Sequence, residues 1–143
     1  MADDQPPPEQ RATILQAGRR KAYRPVDRVA RAAAILAALE AWDRRDWFET
    51  HELLEPAWMG ASDVSERLRL QAVIKIAAAY VHLARGNRAG VRANLIGARA
   101  RALAAGPPAD ALLAAIDPLI ADVERGTPLA SLRPPTLRDL LLR

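Results

Sequence analysis

The sequence predicts an all-α fold, a compact bundle of about five helices with an antiparallel helical hairpin at its centre. Three observations carry that expectation. Half of the residues are hydrophobic, yet aromatics make up only 4%, and the apolar content is mostly Ala and Leu. Those are strong helix formers, whereas the β-branched and aromatic residues that favour strands are few. Apolar residues recur at helical spacing, and glycines at 60, 86, 106 and 126 fall where helices should stop. A chain of 143 residues has the length of one domain and can bury a core without a covalent or metal staple.

Residues 1–10 are polar and proline-rich and read as a disordered tail. Residues 11–25, with Arg19, Arg20, Lys21 and Arg24, read either as a short helix or as an arm over the bundle. The first firm helix runs from about Pro25 to Arg44: proline suits a helix start, and Val29, Ala32, Leu36, Leu39 and Trp42 recur on one face. Asp46 opens the second helix, with Glu49 three residues on in a capping-box pattern, and Gly60 ends it. The third starts near Ser62 or Ser65 and continues to Arg85. Gly86 stops it and Asn87 caps the fourth, so short a connection that the two must be antiparallel neighbours. The fourth reaches Ala105 before Gly106-Pro107-Pro108, and the fifth spans Asp110 to Arg125. One helical domain over 11–126 is thus expected, followed at 127–143 by a Pro/Leu-rich segment. Its Leu137, Leu140, Leu141 and Leu142 need cover from the domain's own core or from a second subunit. No internal repeat is evident.

Composition removes several function classes. The chain has no cysteine, which excludes disulfides, thiolate metal sites and thiol catalysis. The N-terminus lacks the pattern of a secretory signal. The longest apolar stretch, Ala72 to Ala84, is broken by Lys75 and His82 and is too short for a bilayer, so a cytoplasmic location away from membranes is expected. The net charge is +4. Acids predominate from Glu40 to Glu66, and every charged residue from Arg67 to Arg101 is basic. No aromatic or glycine interleaving accompanies that run, which reads as a solvated helix face and argues against nucleic acid.

The second helix carries the one unusual face. At ~100° per residue, Trp47, Phe48, His51, Leu54, Glu55 and Trp58 share a side, opposite Glu49, Thr50, Leu53, Pro56 and Ala57. His51 and Glu55 should then point into the bundle, where ionisable groups need partners, and one helical turn lets them meet each other. The third helix confines its polar residues to a stripe, Arg67, Gln71, Lys75, His82 and Arg85. That stripe either faces the second helix or is the wet side. In the first case His51, Glu55, Gln71, Lys75 and His82 form one internal polar cluster beside Trp58. Pro56 inside the motif helix removes a backbone hydrogen bond, and a kink there would re-aim Glu55 and Trp58.

His51-Glu-Leu-Leu-Glu55-Pro-Ala-Trp58 matches HxxxExxW and, with the downstream stretch ending His82-Leu-Ala-Arg85-Gly86-Asn87 and the Gly90-containing start of the fourth helix, resembles the domain of unknown function 309 family of bacteria and archaea. The resemblance covers approximately Ala30 to Leu103. It implies a compact all-α fold and a motif with a suggested metal-binding role, and no established activity.

Three readings of the cluster follow. His51, Glu55 and His82 would make a two-His, one-carboxylate set for a divalent metal. Alternatively, His51 and Glu55 bond one another while Trp58 fills core, with Trp42, Trp47 and Phe48 also core. In the third, the cluster holds an organic ligand or performs acid–base work with Lys75. No nucleophile–base pair is identifiable, so no reaction and no catalytic residue are assigned. The functional expectation is a small binding protein whose pocket within the bundle comprises His51, Glu55, Trp58, Gln71, Lys75 and His82 and accepts a small ligand or divalent metal. The competing class is a non-enzymatic interaction module, meeting a protein partner or a second copy through the basic fourth helix or the Leu-rich C-terminus. Gly90 and Gly97 are positions for close helix approach.

Overall fold

The computed structural model describes residues 13–16, 19–22 and 27–141. The expected tail at residues 1–10, the helix start at Pro25, and Leu142 lie outside these. Within the ambiguous N-terminal stretch, strands β1 (Thr13–Gln16) and β2 (Arg19–Ala22) pair antiparallel, with Thr13 opposite Ala22 and Gln16 opposite Arg19. The short-helix alternative is thereby corrected. Adjacent β-branched Thr13 and Ile14, with Gly18 between the strands in sequence, favour extended backbone.

Among the described residues from 27 onward, helices are joined by turns and short irregular stretches, with no strand. The helices are α1 (Arg28–Asp43), α2 (Trp47–Gly60), α3 (Val64–Ala84), α4 (Arg88–Ala105), α5 (Asp110–Glu124) and a short α6 (Leu137–Leu141). The fold is an all-α bundle in which each of α1 to α5 packs on its neighbours in sequence and α3–α4 form the central antiparallel hairpin. Side-chain caps start four of them. The carboxylates of Asp27, Asp46 and Asp63 accept from the backbone N–H of Ala30, Glu49 and Glu66, and the Asn87 amide oxygen accepts from Gly90.

The turn after α3 uses Gly86 at φ 70°, with Gly86 N–H donating to Leu83 and Asn87 N–H to His82. The turn after α1 has the same two bonds, from Arg45 to Trp42 and from Asp46 to Ala41, but its left-handed residue is Arg45 at φ 61°. This equivalence extends into the helices. Four buried positions of α2 (Thr50, Leu54, Ala57 and Ala61, the last just past its end) have buried counterparts forty-one residues on, at Val91, Leu95, Ala98 and Ala102. Ala38 and Leu39 correspond in the same way to Ala79 and Tyr80. The likeness stops there, since fully buried Trp58 has exposed Arg99 at the same offset: the two hairpins share a turn type and part of a burial pattern.

The core also corrects two helix faces. On α1 the buried residues are Ala38, Leu39, Ala41 and Trp42, all in its C-terminal half, whereas Val29, Ala32 and Leu36 are exposed and Ala34 and Ile35 are only partly covered. On α2 the buried arc centres on Leu54 and takes in Thr50, Ala57 and Trp58, while Phe48 is 62% exposed. Phe48 lies ~120° round the helix from Leu54. Because α2 is packed on both α1 and α3, its small residues mark the contact more faithfully than its large ones.

The C-terminal segment closes on the bundle itself. Leu132 and Leu137 are buried, with Leu140 and Leu141 packed against the core. Trp42, Trp47 and Tyr80 form an aromatic triad with centroids 4.7–5.6 Å apart. Its polar tips hold the segment: Trp42 Nε1 donates to the Pro135 carbonyl at 3.0 Å and the Tyr80 hydroxyl to that of Arg133 at 2.9 Å.

Candidate functional site

The geometry of the motif follows from the capped start of α2. The Thr50 hydroxyl donates back to the Asp46 carbonyl at 2.8 Å, locking the first turn. His51, Glu52 and Glu55 follow on the flank between the buried arc and solvent. Helix α2 continues through the exposed Pro56 to Gly60, so the motif lies on one unbroken helix. Trp58, one turn beyond Glu55, is fully buried.

His51 Nδ1 stands 3.4 Å from Glu52 Oε1 and 3.9 Å from Glu55 Oε2. The donor atoms of all three side chains lie within 4.8 Å of one another. The side chains of His51 and Glu55 are 29% and 23% exposed and that of Glu52 is 53% exposed. The cluster is therefore rooted at the edge of the core and open outward. Nδ1 itself is buried and makes no hydrogen bond. A buried, lone nitrogen facing two carboxylate oxygens is an arrangement suited to receiving a cation between them.

The other expected members are elsewhere. Tyr80, packed edge-on against Trp42 and tilted against Trp47, fixes which side of α3 faces α1 and α2. Lys75 and His82 lie ~140° and ~160° round the helix from it. Of the polar stripe, Gln71, Lys75 and His82 run half-buried along the seam with α4, whereas Arg85 is exposed and Arg67 donates to the Ala61 carbonyl just past α2. Lys75, Gln71 and Arg101 line one cleft there. His82 lies over Gly90, where a Cβ would fall 2.4 Å from its Nδ1. That nitrogen accepts from Asn87 Nδ2 at 3.1 Å, because the Asn87 oxygen is engaged at Gly90 N–H. The expected set of His51, Glu55 and His82 is thus not brought together, and neither are Gln71 and Lys75 with His51. Glu52, which the helical wheel did not single out, completes the group instead; its adjacency to His51 was the available signal. Of the close-approach glycines, Gly90 is required by its neighbour, whereas a Cβ at Gly97 would make ordinary contacts of 3.5–3.7 Å.

Much of the basic face is also used internally. Arg88 donates to the carbonyls of Val123 and Thr127 at the end of α5, Arg92 pairs with Glu124, and Arg99 pairs with Asp117. No helix among the described residues is long and apolar enough to cross a membrane.

A family model described as Domain of unknown function (DUF309) matches residues 35–94, a span running from α1 into α4 and containing all of His51–Trp58. No curated protein and no solved structure matches the chain.

Proposed function

Because residues 35–94 make this chain a member of the domain of unknown function 309 family, a membership that fixes no activity, we propose from the geometry that it is a small binding protein holding a divalent cation at His51, Glu52 and Glu55. The observation that carries the reading is the buried His51 Nδ1, which makes no hydrogen bond and faces two carboxylates. Two ligands of one tetrahedral ion with bonds of roughly 2.0–2.1 Å are separated by about 3.3 Å. The 3.4 Å between Nδ1 and Glu52 meets that spacing, and the 3.9 Å to Glu55 requires a movement of a few tenths of an ångström. One imidazole with two carboxylates suits borderline divalent ions such as Zn²⁺ or Mn²⁺ rather than soft ones. Such an ion would supply a Lewis-acid centre at the surface of the bundle.

The residues divide the work in a definite way. Burial of Trp58 and Leu54 holds the helix in register, so that His51 Nδ1 is fixed and dry. Glu52 and Glu55 bring negative charge that attracts a cation and offsets the cost of leaving water. Elemental analysis of untagged protein after reconstitution should give one equivalent of Zn²⁺ or Mn²⁺, and His51→Ala should give none while remaining folded. Substoichiometric metal in the wild-type protein, or equal metal in His51→Ala, would overturn the reading.

A further inference from the structure

From Arg67 to Ala105 the chain contains no acidic residue. Arg88, Arg92 and Arg99 of α4 find their partners on α5 or just beyond it. A second set of cations does not. Over Gly97, which offers no side chain, Lys75 from α3 and Arg101 from α4 converge. A Cβ at 97 would lie 3.6 Å from Lys75 Cδ and 3.5 Å from Arg101 Nη1. Arg101 Nη1 donates to the Gly97 carbonyl at 3.0 Å, which anchors the guanidinium along the seam. Among the described residues Lys75 makes no hydrogen bond or ion pair, and Arg101 pairs with no carboxylate. Gln71, one turn before Lys75, and Ile74 complete the lining of a cleft of ≈ 10 Å³.

We propose that this cleft at the α3–α4 seam is a phosphate-binding site, in which Lys75 and Arg101 supply charge and the Gln71 amide a neutral donor. Two half-buried cations of like sign, held side by side without a counter-charge, oppose folding unless an anion joins them. Burial and the Arg101 charge indeed hold the Lys75 ammonium below its usual range. A planar fork beside a compact point charge is a donor pair for phosphate oxygens, and two positive charges match a dianion. The cleft admits about one oxygen-sized atom, so it takes the leading oxygen of a phosphate group and leaves the rest of the ligand outside. This site is separate from the cluster at His51 and does not depend on it.

The test is a ¹H–¹⁵N NMR titration of the full chain at low salt with a chelator present, using inorganic phosphate in one arm and adenosine monophosphate in the other. Saturable shifts at the Gly97 backbone and Gln71 side-chain amides are expected, with affinity about tenfold weaker in Lys75→Met and in Arg101→Gln, each removing one charge-assisted contact. Arg99→Gln, on the α5 side, should bind as the wild type does. Tighter binding of the nucleotide identifies a phosphomonoester ligand; equal binding identifies free phosphate. The proposal is overturned if neither ligand saturates, if shifts fall elsewhere, or if Arg99→Gln weakens binding as much as Lys75→Met. The two cleft variants are independent, so either one that folds decides the matter.

Discussion

Replacing Gly90 with alanine probes the α3–α4 contact most sharply. The added methyl would sit 2.4 Å from His82 Nδ1, 2.6 Å from His82 Cγ and 2.8 Å from Asn87 Nδ2, against about 3.5–4.0 Å for comfortable non-bonded contact. Asn87 can move aside only by giving up its cap on Gly90 N–H. The imidazole cannot do so without surrendering its 3.1 Å bond to Asn87, worth roughly 0.5–1.5 kcal/mol. Overpacking of this kind costs about 1–3 kcal/mol, and the gain in helix propensity is at most ~1 kcal/mol. Gly90→Ala should therefore destabilise the protein by about 1–2 kcal/mol. In a His82→Ala background the obstruction is gone, and the same change should be neutral or stabilising by up to ~1 kcal/mol. Urea unfolding of the wild type, both single variants and the double variant gives the coupling directly. An equal effect of Gly90→Ala in the two backgrounds would refute the packing of His82 on Gly90.

Other perturbations test separate parts of the structure. Arg45→Gly relieves a left-handed backbone at a non-glycine residue and should raise stability by up to ~1 kcal/mol, read as a higher thermal midpoint; a lowered midpoint contradicts the assigned turn. Trp58→Ala should cost about 3–5 kcal/mol as a fully buried aromatic, whereas Phe48→Ala should fall within roughly 0.5 kcal/mol, a contrast that equilibrium unfolding resolves. Since Lys75 is held below its ordinary value of 10.5, the unfolded chain binds more protons than the native one between the two values, and the Lys75 contribution to stability rises with pH across that window. The stability difference between Lys75→Met and wild type should shrink correspondingly from neutral pH to about 10; Tyr80, whose burial holds its phenol above the usual range, is common to both. A difference that stays flat across those pH values would show that the Lys75 charge is not opposed by its surroundings.

Helix number, order and ends were legible in the sequence because they rest on local chemistry. Asp46, Asn87, Gly86 and Gly106 act within a few residues of themselves, and each stands where its backbone role requires. Which side of a helix faces which neighbour was not legible, because that depends on partners distant in sequence. The large side chain of Phe48 suggested an inward face, yet the contact is made by Thr50 and Ala57, whose small size allows two flanking helices to approach. The same ambiguity misdirected the stripe of Gln71, Lys75 and His82, since nothing local states that α4 rather than α2 covers it. Arg45 in a left-handed turn was hidden because arginine carries no signal for that conformation. At the candidate site, the His51–Glu55 spacing showed the pairing of a ring and a carboxylate one turn apart. The contribution of Glu52 and the solitary burial of Nδ1 required coordinates.

Cation binding at this site depends on which atom of His51 faces the carboxylates. Titrating ¹⁵N-histidine-labelled protein with Zn²⁺ and following the imidazole nitrogens by NMR examines that atom alone. One equivalent should displace the His51 Nδ1 resonance, saturate there, and leave both nitrogens of His82 unmoved. Displacement at Nε2 instead, at His82, or at no nitrogen would contradict the assignment of His51, Glu52 and Glu55 as a cation site.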